Sequence, residues 1–414
     1  MKEKINQSVS AGAGSNVYQA ANGSISVTNI FFDGPEELID NEISKNVDQL
    51  VKCRYYTEYD LKTKALQLSR SVFEGGRLAG GSDATRSRAL AWCARGLSHL
   101  HDLVRVEEYL EFAKTINDSP EIRIAEAFVA SRKGGKADAL QVLSRIDSSA
   151  SHSARLIIVG NHDGAESALR WMNEIGLTAD HLDSDGKFYL LNHQLQLSYW
   201  EAAFQTVASL SPGDFEATPI LHHLVGLASL TMAVPCEFRS AVLVHVPLAA
   251  RDFPLSSSSS AMEARDSARK HFLDGVTAAL HFDCSFAAET NDEYALWLEL
   301  RDMNQSSSGM IRLEEKLRAP ATGLRYVRYA IQFGLELNTS AIERDIEKSI
   351  AINCGVTFEA ALARFALIQT MPAAVDAANY IECFYNELVA HIDAKQLRRF
   401  QINLFMQAGL VHKA

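Results

Sequence analysis

The residues most able to hold a metal ion or act as a nucleophile are thirteen histidines and six cysteines, so a chemical reading starts from their spacing. Cys53, Cys93, Cys236, Cys284, Cys354 and Cys383 lie far apart, and no two form a CxxC pair. Structural zinc sites draw on closely spaced ligands, and a disulfide framework needs a denser set of cysteines. The six read as buried or half-buried thiols of a reducing compartment. The histidines are scattered and no HExxH occurs. His222 and His223 are adjacent, so on a helix they point about 100° apart and do not easily share an ion. His193 and His271 read as single packed or surface residues. Neither a metal nor a cofactor is expected.

Phosphate and calcium motifs fail on particular positions. Lys133-Gly134-Gly135-Lys136 is followed by Ala137, and Ala130 stands where a phosphate loop needs its first glycine. It reads as a basic turn between helices. Asp180-His181-Leu182-Asp183-Ser184-Asp185-Gly186 suggests a calcium loop, but the twelfth position counted from Asp180 is Leu191, where a bidentate glutamate belongs. It reads as an acidic loop capping the next helix. No GxGxxG follows a strand and no GxSxG elbow occurs. With no motif for chemistry, the chain reads as a binding protein and not an enzyme.

Recognition surfaces remain. On the helix expected over Ala84–Leu100, Leu90, Cys93, Ala94 and Leu97 form one apolar stripe. Arg88, Trp92, Arg95 and His99 fall on the opposite face at spacings of four, three and four. Tryptophan and arginine dominate interface hot spots, so these four are the binding-site candidates. A second group, Arg318, Arg325, Tyr326, Arg328 and Tyr329, interleaves basic and aromatic residues in a way that could suit phosphate or nucleic acid. A net charge of −11 and a pI near 5.7 argue against a nucleic-acid partner, and these read as helix-surface arginines.

The elements that position these residues come from periodicity. Four segments share one pattern, starting at Val106, Lys136, Ala165 and Trp200, which are 30, 29 and 35 residues apart. In the last three a small residue (Ala139, Ala168, Ala203) precedes a large apolar one (Leu140, Leu169, Phe204). Further apolar residues follow at three-residue steps: Leu143, Met172 and Val207, then Ile146, Ile175 and Leu210. This is one buried stripe of a helix, with a small residue where a neighbouring helix approaches closely. Amphipathic segments precede the copies at about Ala84–Leu100, Glu121–Arg132, Ser151–Gly160 and Gly186–Leu197. Breakers separate the helices, and Ser119-Pro120-Glu121 is a helix start with Ser119 as N-cap.

Trp200-Glu201-Ala202-Ala203, Ala137-Asp138-Ala139-Leu140 and Ala165-Glu166-Ser167-Ala168-Leu169, set at periods near 34, resemble the second helices of tetratricopeptide repeats. The resemblance covers roughly residues 83–210. First-helix positions depart from that pattern, with only Trp92 and Arg95-Gly96-Leu97 matching it. It implies an all-α superhelix, a helical-hairpin solenoid that holds a protein or peptide partner in a groove. The front segment, from Asn6-Gln7-Ser8-Val9 through Asn16-Val17-Tyr18 to Ile25-Ser26-Val27-Thr28, resembles short Asn/Gly/Ser β-repeats of some bacterial defence and signalling proteins. That resemblance implies a sensor or regulatory subunit of an antiphage system working with a separate effector.

Four regions are therefore expected. Residues 1–33 form a polar β-segment, a short ribbon whose free edges could pair in a homo-oligomer. Residues 34–235 hold the repeats, 236–260 an irregular linker with the serine run Ser256–Ser260, and 261–414 a C-terminal helical domain of diverged repeats. Helices there are expected at Ala261–Phe282, Glu289–Met303, Ser308–Leu317, Gly323–Leu337, Ser340–Ile352, Phe358–Thr370, Ala373–Ile392 and Lys395–Ala408. No signal peptide is read at the N-terminus and no run reaches the ~18 apolar residues of a membrane span, so a cytoplasmic protein without a membrane partner is expected.

Overall fold

The structure is a computed structural model that describes residues 17–21, 24–28, 36–53, 58–73, 76–98, 103–236, 239, 255–302, 306–319, 323–353 and 357–368. The helices expected at Ala373–Ile392 and Lys395–Ala408, and residues 237, 238 and 240–254 of the linker, lie outside them.

The described chain is all-α. In order, the helices are α1 (Glu36–Cys53), α2 (Glu58–Phe73), α3 (Asp83–Ser98), α4 (Leu103–Ile116), α5 (Pro120–Arg132), α6 (Lys136–Leu143), α7 (Ser149–Asp163), α8 (Ala165–Glu174), α9 (Ser184–Gln196), α10 (Trp200–Ala208), α11 (Pro212–Ala217) and α12 (Leu221–Met232). There follow α13 (Ser259–His281), α14 (Ser285–Arg301), α15 (Ser306–Leu317), α16 (Val327–Gln332), α17 (Thr339–Asn353) and α18 (Phe358–Ile368). Ahead of them, Val17–Ala21 and Ser24–Thr28 pair antiparallel with Val17 opposite Thr28. An isolated two-stranded hairpin is at best marginally stable in water. The N-terminal β-ribbon is therefore not supported as a part of the architecture, which is helical.

Local chemistry explains the boundaries. Ser119 sits extended at the N-cap of α5 with Pro120 in the first turn, although its side chain makes no capping bond. Ser148 caps α7 by accepting from the Ser151 amide at 3.2 Å. The serine run expected to be a loop is non-helical only as far as Ser258, which accepts from the Ala261 amide at 3.2 Å as N-cap, and α13 begins at Ser259. The helix expected over Gly323–Leu337 is divided. Gly323–Tyr326 is a 3₁₀ turn and α16 ends before Gly334, whose φ of 75° only glycine adopts at little cost.

The chain forms two compact units. In the first, residues 1–193 and 209–218, α3 packs on α1, α2, α4 and α5, then α5 on α6 and α7, and α7 on α8. Ile43, Leu50, Leu90, Leu97, Val106 and Ile122 are fully buried in one core, and Leu143, Ala154 and Ile158 in the next. The small residues Ala139 and Ala168 are completely buried, as the repeat pattern requires, whereas Ile175 at the end of its stripe is 47% exposed. In the second unit, residues 194–208 and 219–414, α13 packs on α12 and α14, and α14 on α15. Gly226 of α12 lets the helices close: a Cβ there would lie 2.6 Å from the Phe272 ring of α13. Phe272 in turn stacks on Tyr294 of α14 at 4.7 Å.

Candidate functional site

On α3 the apolar stripe is as expected, with Leu90, Cys93, Ala94 and Leu97 wholly buried. Burial raises the Cys93 thiol far above its ordinary pKa, so it is protonated and unreactive. Of the four recognition candidates, Arg88 is exposed and Trp92 is half-buried, packed against the core. Arg95 turns inward. Its guanidinium lies 4.1 Å from the Phe128 ring centre and 4.8 Å from that of Trp92, and it bonds the Asp185 carboxylate at 2.9 Å. Both side chains of that ion pair are mostly shielded, at 15% and 6% exposure. His99 lies outside the described residues. The face thus offers Arg88 and one side of Trp92, held by an arginine that ties α3 to α5 and α9.

The two rejected ligand loops behave as turns and caps. Gly134 has φ 91°, and the flanking lysines pair outward, Lys133 with Glu107 and Lys136 with Asp163 at 2.5 Å. Asp183 accepts from the Gly186 amide at 2.9 Å, capping α9, and Asp185 is the partner of Arg95.

The second unit brings together groups that the sequence leaves apart. His222 stands in the first turn of α12, while His271 and Asp274 stand one turn apart on α13. The two Nδ1 atoms are 3.1 Å apart, and Asp274 Oδ2 is 4.0 Å from His222 Nδ1. One potential ligand atom from each residue lies within 4.8 Å of the others. Burial is the main cause that lowers the pKa of both histidines, His222 to about 4. Lys270 acts in the same direction on both and Asp274 opposes it, while His271 further lowers His222. Both imidazoles are therefore neutral at neutral pH. The neighbouring His223 points elsewhere, with Nδ1 2.9 Å from Asn291 Oδ1. His222 and His223 do diverge as expected, but His271 is not a lone residue. The 49-residue gap hides the pair, and its only trace in the sequence is a histidine and an aspartate three positions apart.

A third cluster corrects the reading of the basic–aromatic group. Arg325, Tyr326 and Tyr329 are buried, not surface residues. Arg325 Nε donates to Glu293 at 2.7 Å, and its NH2 to the Thr290 hydroxyl at 2.9 Å. Tyr329 donates to Glu293 at 3.0 Å, Tyr326 to Glu289 at 2.7 Å, and Arg328 pairs with Glu293. Arg312 joins Glu299 and Asp292, and Lys316 joins Asp292 at 2.7 Å. Four acids of α14 meet four bases of α15 and the segment after it, so the cluster is neutral. Burial and the Glu289 carboxylate raise the Tyr326 phenol strongly, and burial raises that of Tyr329 to about 12. These groups fasten helices and present no free charge to a phosphate. Arg318, by contrast, is exposed and pairs with Glu314.

Compared with known proteins, the chain matches no family model and no curated protein. Among the described residues no helix is long and apolar enough to cross a membrane.

Proposed function

We propose that the protein is a cytoplasmic scaffold or adaptor that holds a protein or peptide on a tetratricopeptide-like superhelix of helical hairpins. One observation carries this reading: the small second-helix residues Ala139, Ala168 and Ala203 are all completely buried. A residue without bulk at that point allows close helix approach, which stacked hairpins need and an isolated amphipathic helix does not. The exposed Arg88 and the half-buried Trp92 on α3 are the side chains of recognition type that such a surface would use. Arg95 serves it indirectly, by fixing the Trp92 ring.

Partners crosslinked in native cells and identified by mass spectrometry supply the ligand for a binding assay. Arg88→Glu and Trp92→Ala are expected to weaken it by about 2 kcal/mol each, roughly 30-fold; Arg88→Glu should leave the melting temperature unchanged, whereas Trp92→Ala also removes packing against the core and should lower it. Unchanged affinity in both variants rejects this surface. Arg95 is a poor probe of binding because its ion pair with Asp185 supports the fold.

The second reading is a sensor or regulatory subunit of a bacterial antiphage system with a separate effector, and it rests on the Asn/Gly/Ser-rich front segment. It requires an effector enzyme encoded beside this chain, and a neighbourhood of housekeeping genes argues against it. If the front segment also joins copies, deleting residues 1–33 lowers the mass measured by light scattering. An unchanged mass removes that role.

A further inference from the structure

We infer that His222, His271 and Asp274 form a site for a zinc-class divalent cation that clamps α12 to α13. The proposal is independent of the scaffold reading. Two imidazole nitrogens on one tetrahedral zinc, each about 2.0–2.1 Å from the metal, lie roughly 3.3 Å from each other. The observed Nδ1–Nδ1 distance of 3.1 Å is close to that edge. The Asp274 oxygen at 4.0 Å from His222 is somewhat long. Asp274 is 44% exposed, so its side chain has room to close the remaining roughly 0.7 Å. Two histidines and a carboxylate are a recurrent set for zinc and its borderline neighbours, and they leave a position for water.

Two further features favour an ion over a plain hydrogen bond between imidazoles. The carboxylate brings the single negative charge that a divalent cation needs beside neutral nitrogens. The backbone is set by tight packing next to the site, where Gly226 lets the Phe272 ring approach α12, and rigid helices hold ligands better than loops. The nearby Lys270 ammonium acts against the ion, which argues for a moderate affinity and not for the tight binding of a four-ligand structural site.

The test uses the full chain without a histidine tag, stripped with chelator and titrated with zinc by calorimetry, and with cobalt by absorption. The expected result is one equivalent bound at micromolar affinity, with a cobalt spectrum of nitrogen–oxygen ligation. Saturating zinc should also raise the melting temperature, by roughly 5 °C at a hundredfold excess over Kd. His222→Ala and His271→Ala should each weaken uptake by more than the roughly 10–100-fold loss typical of an outer-sphere partner. Asp274→Asn, at a half-exposed position, should weaken it about 10-fold. His181→Ala, at an exposed histidine of the first unit, should leave binding unchanged. Absence of stoichiometric uptake by the native chain overturns the proposal. So does uptake whose affinity Asp274→Asn does not alter, which decides the matter even if a histidine variant fails to fold.

Discussion

Burial lowers the pKa of His193 in the first unit and of His222, His223 and His271 in the second. The consequence for stability has a definite sign. As pH falls through the ordinary histidine value near 6.5, the unfolded chain takes up protons, while folded His222 stays neutral down to about 4. The stability these histidines contribute is whole above about 6.5 and is lost progressively below it. Lys270 beside His222 and His271 widens that window, whereas Asp274 for this pair and Asn291 for His223 narrow it. Urea midpoints measured at about pH 7.5 and about pH 5 should fall between the two, and His222→Gln should shrink the difference. A midpoint equal at both values counts against neutral buried imidazoles. The salt cluster gives a second residue-level prediction. Arg325→Leu leaves the Glu293 carboxylate deprived of one partner in a site with no solvent, and should cost about 3–5 kcal/mol in urea denaturation.

Helix contacts depend on small residues at a few crossings. Gly226 is the sharpest case, because an alanine methyl would meet the Phe272 ring at 2.6–2.9 Å in a core with no space to spare. Gly226→Ala should therefore destabilise the second unit by about 1–3 kcal/mol, and Phe272→Leu in the same chain should recover part of the loss. Additive losses in the double variant would show that the two do not touch. Gly275 of α13 stands in a milder version of the same position against Asn291 of α14, at 3.0 Å. In both places helical propensity is given up for a close crossing.

Over the whole molecule, two compact helical units each carry their own buried core, and net charge sets what the surface attracts. With −11 overall and the basic–aromatic group of the second unit neutralised inside, the protein should not be retained by duplex DNA at about 0.15 M salt in a mobility-shift assay. Retention that falls steeply with added salt would point to a basic surface outside the described residues.

Much of the helical order was written in local pattern. The repeated stripe placed α5 to α8 within a few residues, because apolar spacing and the breakers around Pro120, Gly134 and Gly164 act over short distances along the chain. The wholly buried face of α3 followed from the same periodicity, and so did the capping role of the acidic loop before α9. What only the tertiary structure decided concerns groups far apart in sequence. Arg95 looks like a recognition residue until Phe128 and Asp185 arrive to engage it. Arg325, Tyr326 and Tyr329 look like a basic surface until the acids of α14 cover them. His222 and His271 look like strangers until Gly226 lets α12 and α13 close. Periodicity fixes which face of a helix goes inward, but the identity of the partner that meets it is set by the packing of separate helices, and no local spacing encodes that.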